Sequence, residues 1–143
     1  MCDSRGIPLA VEVTAGQVNE CTRFEQVLSA VRLPQATGRP RRRPRAVAGD
    51  KGYSTGSIRA WLRRRHILAV IPQRSDQRGR WDGCRTFDKK TYRQRNVVER
   101  CVGWMKNCRR LATRYEKLAV SFLAMLDLWM AQRYLRVLFP DTT

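Results

Sequence analysis

The sequence predicts an α/β domain in which helices pack on a small sheet. Three observations carry this: short branched apolar runs alternate with helical spacing through residue 72, two long helical patterns close the chain, and 43% of the 143 residues are apolar. Strand-helix alternation of that kind builds layers around a sheet that is at least partly parallel. The length fits one domain with a moderate core.

The elements follow in order. "IPLAVEVTAG" alternates apolar residues up to Gly16 and reads as a strand entering a turn. In "CTRFEQVLSAVRL", Phe24, Val27, Leu28 and Val31 recur at three and four residues, which predicts a helix. "PQATGRPRRRPR" has three prolines among Arg39, Arg41, Arg42, Arg43 and Arg45, so neither helix nor sheet accommodates it, and it reads as a solvated basic loop. "AVAGD" predicts a short buried strand ending at Asp50, "SIRAWLRRRHI" a helix and "LAVIP" a strand stopped by Pro72. "QRSDQRGRWDGCRTFDKKT" has no period and reads as a surface excursion ordered around Trp81. Two helices are then expected, from about Thr91 to Arg114 and from Leu118 to Leu138, the second as a buried core helix.

A formal charge of +17, from 29 Lys+Arg against 12 Asp+Glu, points to a polyanionic partner. Arginine predominates over lysine, and planar guanidinium forks suit phosphate oxygens, so nucleic acid is favoured over a membrane surface. Arg41, Arg42 and Arg43 are candidate phosphate contacts, and a flexible basic linker is the competing reading of their loop. Cys2, Cys21, Cys84, Cys101 and Cys108 form no C-x-x-C pair, which suits a reducing cytoplasm; Cys101 and Cys108 are expected as small core residues. "MCDSRGIPLAVEV" has no signal-peptide pattern, and Asp127, Gln132, Arg133 and Arg136 interrupt the most apolar stretch too often for a membrane span. His66 has no partner at metal-ligand or triad spacing and reads as structural.

One acid, Glu99, stands in the basic and apolar run "YRQRNVVERCVGWMK". On a single helix at about 100° per residue, Tyr92, Arg95, Glu99 and Lys106 fall on one narrow polar face. Gly103 leaves a notch between Glu99 and Lys106 on that face. Taken alone, Glu99 is most simply a surface acid paired with Arg95 or Arg100, worth under about 1 kcal/mol. Asp50 is a second acid, at the carboxyl end of a strand where α/β sheets tend to place their sites; an ordinary strand-to-helix turn also explains it. Two acids on a basic surface match what divalent-metal phosphoryl chemistry uses.

These residues resemble a known family. Tyr92, Arg95, Glu99 and Lys106 match, with every spacer, the Y-x-x-R-x-x-x-E-x-x-x-x-x-x-K signature of DDE insertion-sequence transposases. "AVAGDKGYST" resembles the family's second-acid segment, with Asp50 in the acid's position, and "GIPLAVEVTAGQVNE" is similar to the strand and turn before it in the group related to insertion sequence five. The resemblance implies a ribonuclease H-like fold with a mixed sheet and C-terminal helices. It also implies Mg2+ (or Mn2+) held by three carboxylates for DNA strand cleavage and transfer, with Asp50 and Glu99 as metal ligands and Tyr92, Arg95 and Lys106 as DNA-binding groups.

By the same resemblance the first catalytic Asp lies upstream of "GIPLAVEVT", and Asp3 falls in a turn and is no substitute. The chain is therefore expected to be a single partial catalytic domain over residues 1–143, without the first Asp and the N-terminal DNA-recognition region, and inactive alone. DNA is the expected partner, with full-length transposase or an upstream-encoded half as a further one. The alternative is a non-catalytic basic DNA-binding protein that modulates transposition.

Overall fold

Val47 and Val70, both buried, sit on adjacent strands of a two-stranded parallel sheet. The computed structural model describes residues 1–33, 35–77 and 87–140; the excursion expected around Trp81, together with Cys84, lies outside the described residues. The chain divides into two compact units, one of Asn19–Arg95 and one of Met1–Val18 with Asn96–Thr143.

In the first unit Asn19 caps a 3-10 turn (Glu20–Arg23) that runs into α1 (Phe24–Ala30), which buries Phe24 and Leu28 as its spacing predicts. β1 (Ala46–Ala48) and β2 (Leu68–Val70) pair in register Ala46 to Leu68, Val47 to Ala69 and Ala48 to Val70. Between them runs α2 (Gly56–Arg64), started by the Thr55 hydroxyl, which accepts from the Ile58 N–H at 3.3 Å. Strand, helix and parallel strand form a crossover unit, the arrangement a parallel pair requires.

His66 is left-handed (φ 54) and ends α2: its N–H donates to the Arg63 carbonyl, and the Ile67 N–H reaches back to Leu62, both at 2.9 Å. That is a helix-terminating loop sealed by the buried Leu62 and Ile67, and it gives the lone histidine a structural place. The Trp61 ring meets Phe24 edge-on at 6.2 Å. Leu28, Val31, Ile58, Leu62, Ile67 and Ile71 complete this core. α3 (Lys89–Arg93) follows, capped by Asp88.

The second unit holds α4 (Asn96–Lys106), α5 (Arg109–Ala112) and α6 (Ala119–Leu138). Its opening residues correct the expected first strand. "IPLAVEV" makes one antiparallel bridge, Cys2 with Pro8, and no ladder. Instead the Met1 amino group donates to the Ala10 carbonyl at 2.8 Å and the Leu9 N–H to Met1 at 2.9 Å. Asp3 Oδ1 accepts from the Arg5 and Ile7 N–H groups, closing a turn at left-handed Gly6 (φ 85). The positive φ favours glycine at position 6, and a Cβ there would lie 3.0 Å from the Trp104 ring, which would have to give way. Alternation sets up an extended segment; a strand also needs a neighbour to take its backbone bonds. Among the described residues the sheet is accordingly two-stranded and parallel, without the mixed order expected.

Two further expectations change here. The single helix from Thr91 to Arg114 is three helices: the Gln94 and Arg95 N–H groups reach back three residues, to Thr91 and Tyr92, and break the first junction. Asn107 and Cys108, weak helix formers, break the second. The closing helix has its expected bounds, but α6 buries only Leu126 among its twenty residues, so it is not a core helix. Cys101 is buried as expected, whereas Cys108 is half-buried at the cap of α5. No helix among the described residues is long and apolar enough to cross a membrane.

Candidate functional site

Asp50 lies two residues past the end of β1, exposed, at the start of the 3-10 turn Lys51–Tyr53. Its Oδ1 accepts the Gly52 N–H at 2.8 Å. A Cβ on residue 52 would fall 2.9 Å from that oxygen, so a side chain there would have to displace the Asp50 carboxylate. The turn is clamped from several sides. Arg59, buried on α2, donates through Nη2 to Ser54 Oγ at 3.0 Å and to the Ile71 carbonyl at 2.8 Å. Ser54, wholly buried, donates to Gln77 Oε1 at 2.6 Å, and Gln77 Nε2 returns a bond to the Ser54 carbonyl at 2.5 Å. Arg74 Nε donates to the Lys51 carbonyl, and the Cys21 thiol to that of Gly52. Tyr53 donates to Glu20 at 3.1 Å; burial, then the Glu20 charge, pushes its hydroxyl up to about 12.

A hydrogen-bonded turn at the carboxyl end of a parallel strand therefore presents Asp50 to solvent. The sequence reading missed the clamp. Arg59 did carry a signal, a charge on the arc of Ile58, Trp61 and Leu62, which marks a guanidinium that must find partners inside. Gln77 carried none.

Glu99 stands in the first turn of α4, exposed, across the helix from buried Val97 and Cys101. Lys106 is seven residues on and also exposed, so the two share a face. Gly103 lies between them, and a Cβ there would meet nothing within 4 Å, which leaves the backbone open to close approach. Tyr92 and Arg95 do not belong to that helix. The four-residue stripe drawn on one helix is therefore corrected to Glu99 and Lys106 alone. Half-buried Tyr92, in α3, packs against Phe87 with ring centroids 5.2 Å apart, and the Arg95 guanidinium lies 5.7 Å from its ring. Asp50 belongs to the Asn19–Arg95 unit and Glu99 to the other.

Arg41, Arg42 and Arg43 are exposed, as their loop predicts. Arg41 is tied by a two-bond backbone bridge to Leu33, at 2.8 and 2.9 Å. Arg42 and Arg43 line an open pocket of about 350 Å³ with Leu28, Trp61, Arg65 and Ile67. Arg65 lies over the Trp61 ring at 3.9 Å. Three guanidinium groups on an apolar floor make this a basic, anion-attracting concavity. No group of three or more His, Cys, Asp or Glu side chains placed to hold a metal ion occurs among the described residues.

The described residues thus hold an acid on a turn after a parallel strand and a Glu–Gly–Lys helix face, on a strongly basic chain. Among known proteins, the family model described as "Transposase DDE domain" matches residues 1–131, and the chain belongs to that family. The chain is 35% identical over 127 residues to the Burkholderia cepacia protein named "Putative transposase for insertion sequence element IS402", a match covering 88% of this chain and 56% of that protein. It thus spans a little over half the length of this relative. No solved structure matches it.

Proposed function

We propose that the chain is the C-terminal part of a transposase catalytic domain of ribonuclease H-like fold, a single partial domain that acts on DNA in the cytoplasm. The observation that carries the proposal is the clamped turn bearing Asp50 after β1, on a chain of the DDE family. In this reading Asp50 and Glu99 each serve as ligands of Mg2+ or Mn2+. Their exposed carboxylate oxygens are the hard donors such ions take, and a third carboxylate comes from an upstream-encoded half or a full-length partner. The bound ions would supply activation of water or a 3′ hydroxyl for strand cleavage and transfer.

The chain's own residues bind and position. Lys106, beside the opening at Gly103, holds a phosphate next to Glu99. Arg95, steered by the Tyr92 ring, takes a second, and Arg41, Arg42 and Arg43 add contacts that carry no sequence information. Neutralising phosphates releases counterions, so affinity should fall steeply with salt, with a log–log slope of about −0.9 per contact on duplex DNA.

Filter binding across a salt series tests the first half: replacing Arg41, Arg42 and Arg43 by alanine should flatten the slope, and a wild-type response without slope would refute DNA binding. For the second half, pure chain with Mg2+ or Mn2+ should show no strand transfer. Adding the upstream half or full-length transposase should bring activity that Asp50→Ala and Glu99→Ala each abolish. Cleavage by the pure chain would overturn the need for a third acid. DNA binding without any complementation would favour the non-catalytic, modulating role.

A further inference from the structure

The opening turn of the chain packs on α4. A Cβ at Gly6 would touch Trp104 and Val97, and Cys101 stands between those two on the same helix face, only 7% exposed. Cys2 lies on the first arm of that turn and is bridged to Pro8, whose carbonyl accepts from the Tyr134 hydroxyl of α6. The segment is thus pinned over α4 with the Cys2 thiol as hydrogen-bond partner of the Cys101 thiol. Both are free thiols, and all of these residues belong to one compact unit.

We propose that Cys2 and Cys101 form a reversible disulfide, a redox latch that ties the opening segment to the helix bearing Glu99. The oxidant is a small disulfide of the glutathione class. The Cys2 sulfur, half-buried and the more accessible of the two, attacks one glutathione sulfur, and the other leaves as a thiolate that takes up the Cys2 proton. The Cys101 sulfur then attacks Cys2 within the mixed disulfide; the protein S–S bond forms, and the second glutathione leaves with the Cys101 proton. Two electrons and two protons pass from the protein thiols to one glutathione disulfide, giving two glutathione thiols. Excess glutathione reverses both steps. Other cysteines are placed differently. The Cys21 thiol donates to the Gly52 carbonyl. Cys108 lies two helical turns from Cys101, roughly 10 Å by helical rise, beyond the Cα separation of about 4.4–6.8 Å that a disulfide spans.

The bond closes a loop of about 100 residues, and long loops are where a cross-link constrains the unfolded chain most. Reduced, the opening segment is held to α4 by packing and single hydrogen bonds; oxidised, it cannot lift away. In a compartment where glutathione is mostly reduced the pair rests as thiols, and it closes as the balance shifts toward the disulfide. Nothing in the latch depends on the metal or DNA roles proposed above.

The test equilibrates the full 143-residue chain across a series of reduced and oxidised glutathione, blocks remaining thiols with N-ethylmaleimide and digests with trypsin. Mass spectrometry should find residues 1–5 joined to residues 101–106, a pair that reductant separates. Half-closure in native buffer should withstand a glutathione ratio, thiol squared over disulfide, at least about tenfold more reducing than in about 6 M guanidinium chloride, because the fold holds the two sulfurs together. Oxidation should also raise the thermal midpoint by about 5 °C or more. Cys2→Ser, at a half-buried position and checked for folding by circular dichroism, should abolish both the linked peptide and the shift. Cys101→Ala should trap Cys2 as its mixed disulfide with glutathione, and failure to do so in a folded variant overturns the order of the two steps. A link to Cys21, Cys84 or Cys108 in place of this pair overturns the proposal. So does a bond no easier to form in native buffer than in denaturant, or a chain that keeps all five thiols in excess glutathione disulfide.

Discussion

The two helices that the sequence marks most clearly behave in opposite ways. α2 has nine residues, three of them arginine, and buries Ile58, Arg59, Trp61 and Leu62. α6 has twenty residues, is far more apolar, and buries Leu126 alone. Apolar content thus says little about burial in this chain. What decides it is whether a neighbour faces the stripe: α2 lies between β1 and β2 in the chain, beside α1, whereas the outer stripe of α6 has no covering element among the described residues. A short basic helix is a core element here, and a long apolar one is a surface.

That contrast can be broken by substitution. The largest effect should come from Leu62→Ala: the side chain is fully buried, and a cavity there should cost about 2–5 kcal/mol of unfolding free energy, read by denaturant melts. Next comes Arg59→Met, which keeps the length of the side chain but strips bonds from Ser54 and the Ile71 carbonyl; a loss of about 1–3 kcal/mol is expected. If that variant melts like wild type, the clamp beneath Asp50 is not what holds the turn.

A smaller effect depends on pH. The Tyr53 hydroxyl keeps its proton in the folded chain to about 12, against an ordinary value of 10.0. Between those values the folded state binds more protons than the unfolded one, so stability is intact below about pH 10 and declines as pH rises toward 12. Tyr53→Phe retains the ring beside Phe24, 5.7 Å between centroids, and should lessen the decline. An unchanged alkaline slope would remove Tyr53 as its source. The smallest effect is expected on α6: Leu128→Ala should shift stability by no more than about 0.5 kcal/mol. A loss as large as that at Leu62 would show that the outer stripe is covered in the folded chain and would erase the contrast.

Local chemistry was legible wherever a segment's pattern and its neighbours agreed. α1, β1, α2 and β2 stand where spacing and turn residues put them, as do the basic loop with Arg41 to Arg43 and the bounds of α6. Asp50 after its strand and the Glu99–Lys106 face of α4 were readable for the same reason: periodicity and strand ends are properties of a few consecutive residues. The long helix failed at Gln94–Arg95 because periodicity is blind to backbone bonds that reach back three residues.

By itself, then, the sequence determined which segments are helical or extended, which positions are acidic or cationic, and the spacing that marks the family. Tertiary structure alone decided that "IPLAVEV" has one bridge in place of a ladder, that Arg59 turns inward to Ser54 and Ile71, and that the outer face of α6 stays open. Each of these depends on a partner remote in the chain. A backbone bond, a buried charge or an apolar stripe is settled by what lies opposite it, and no local pattern specifies that.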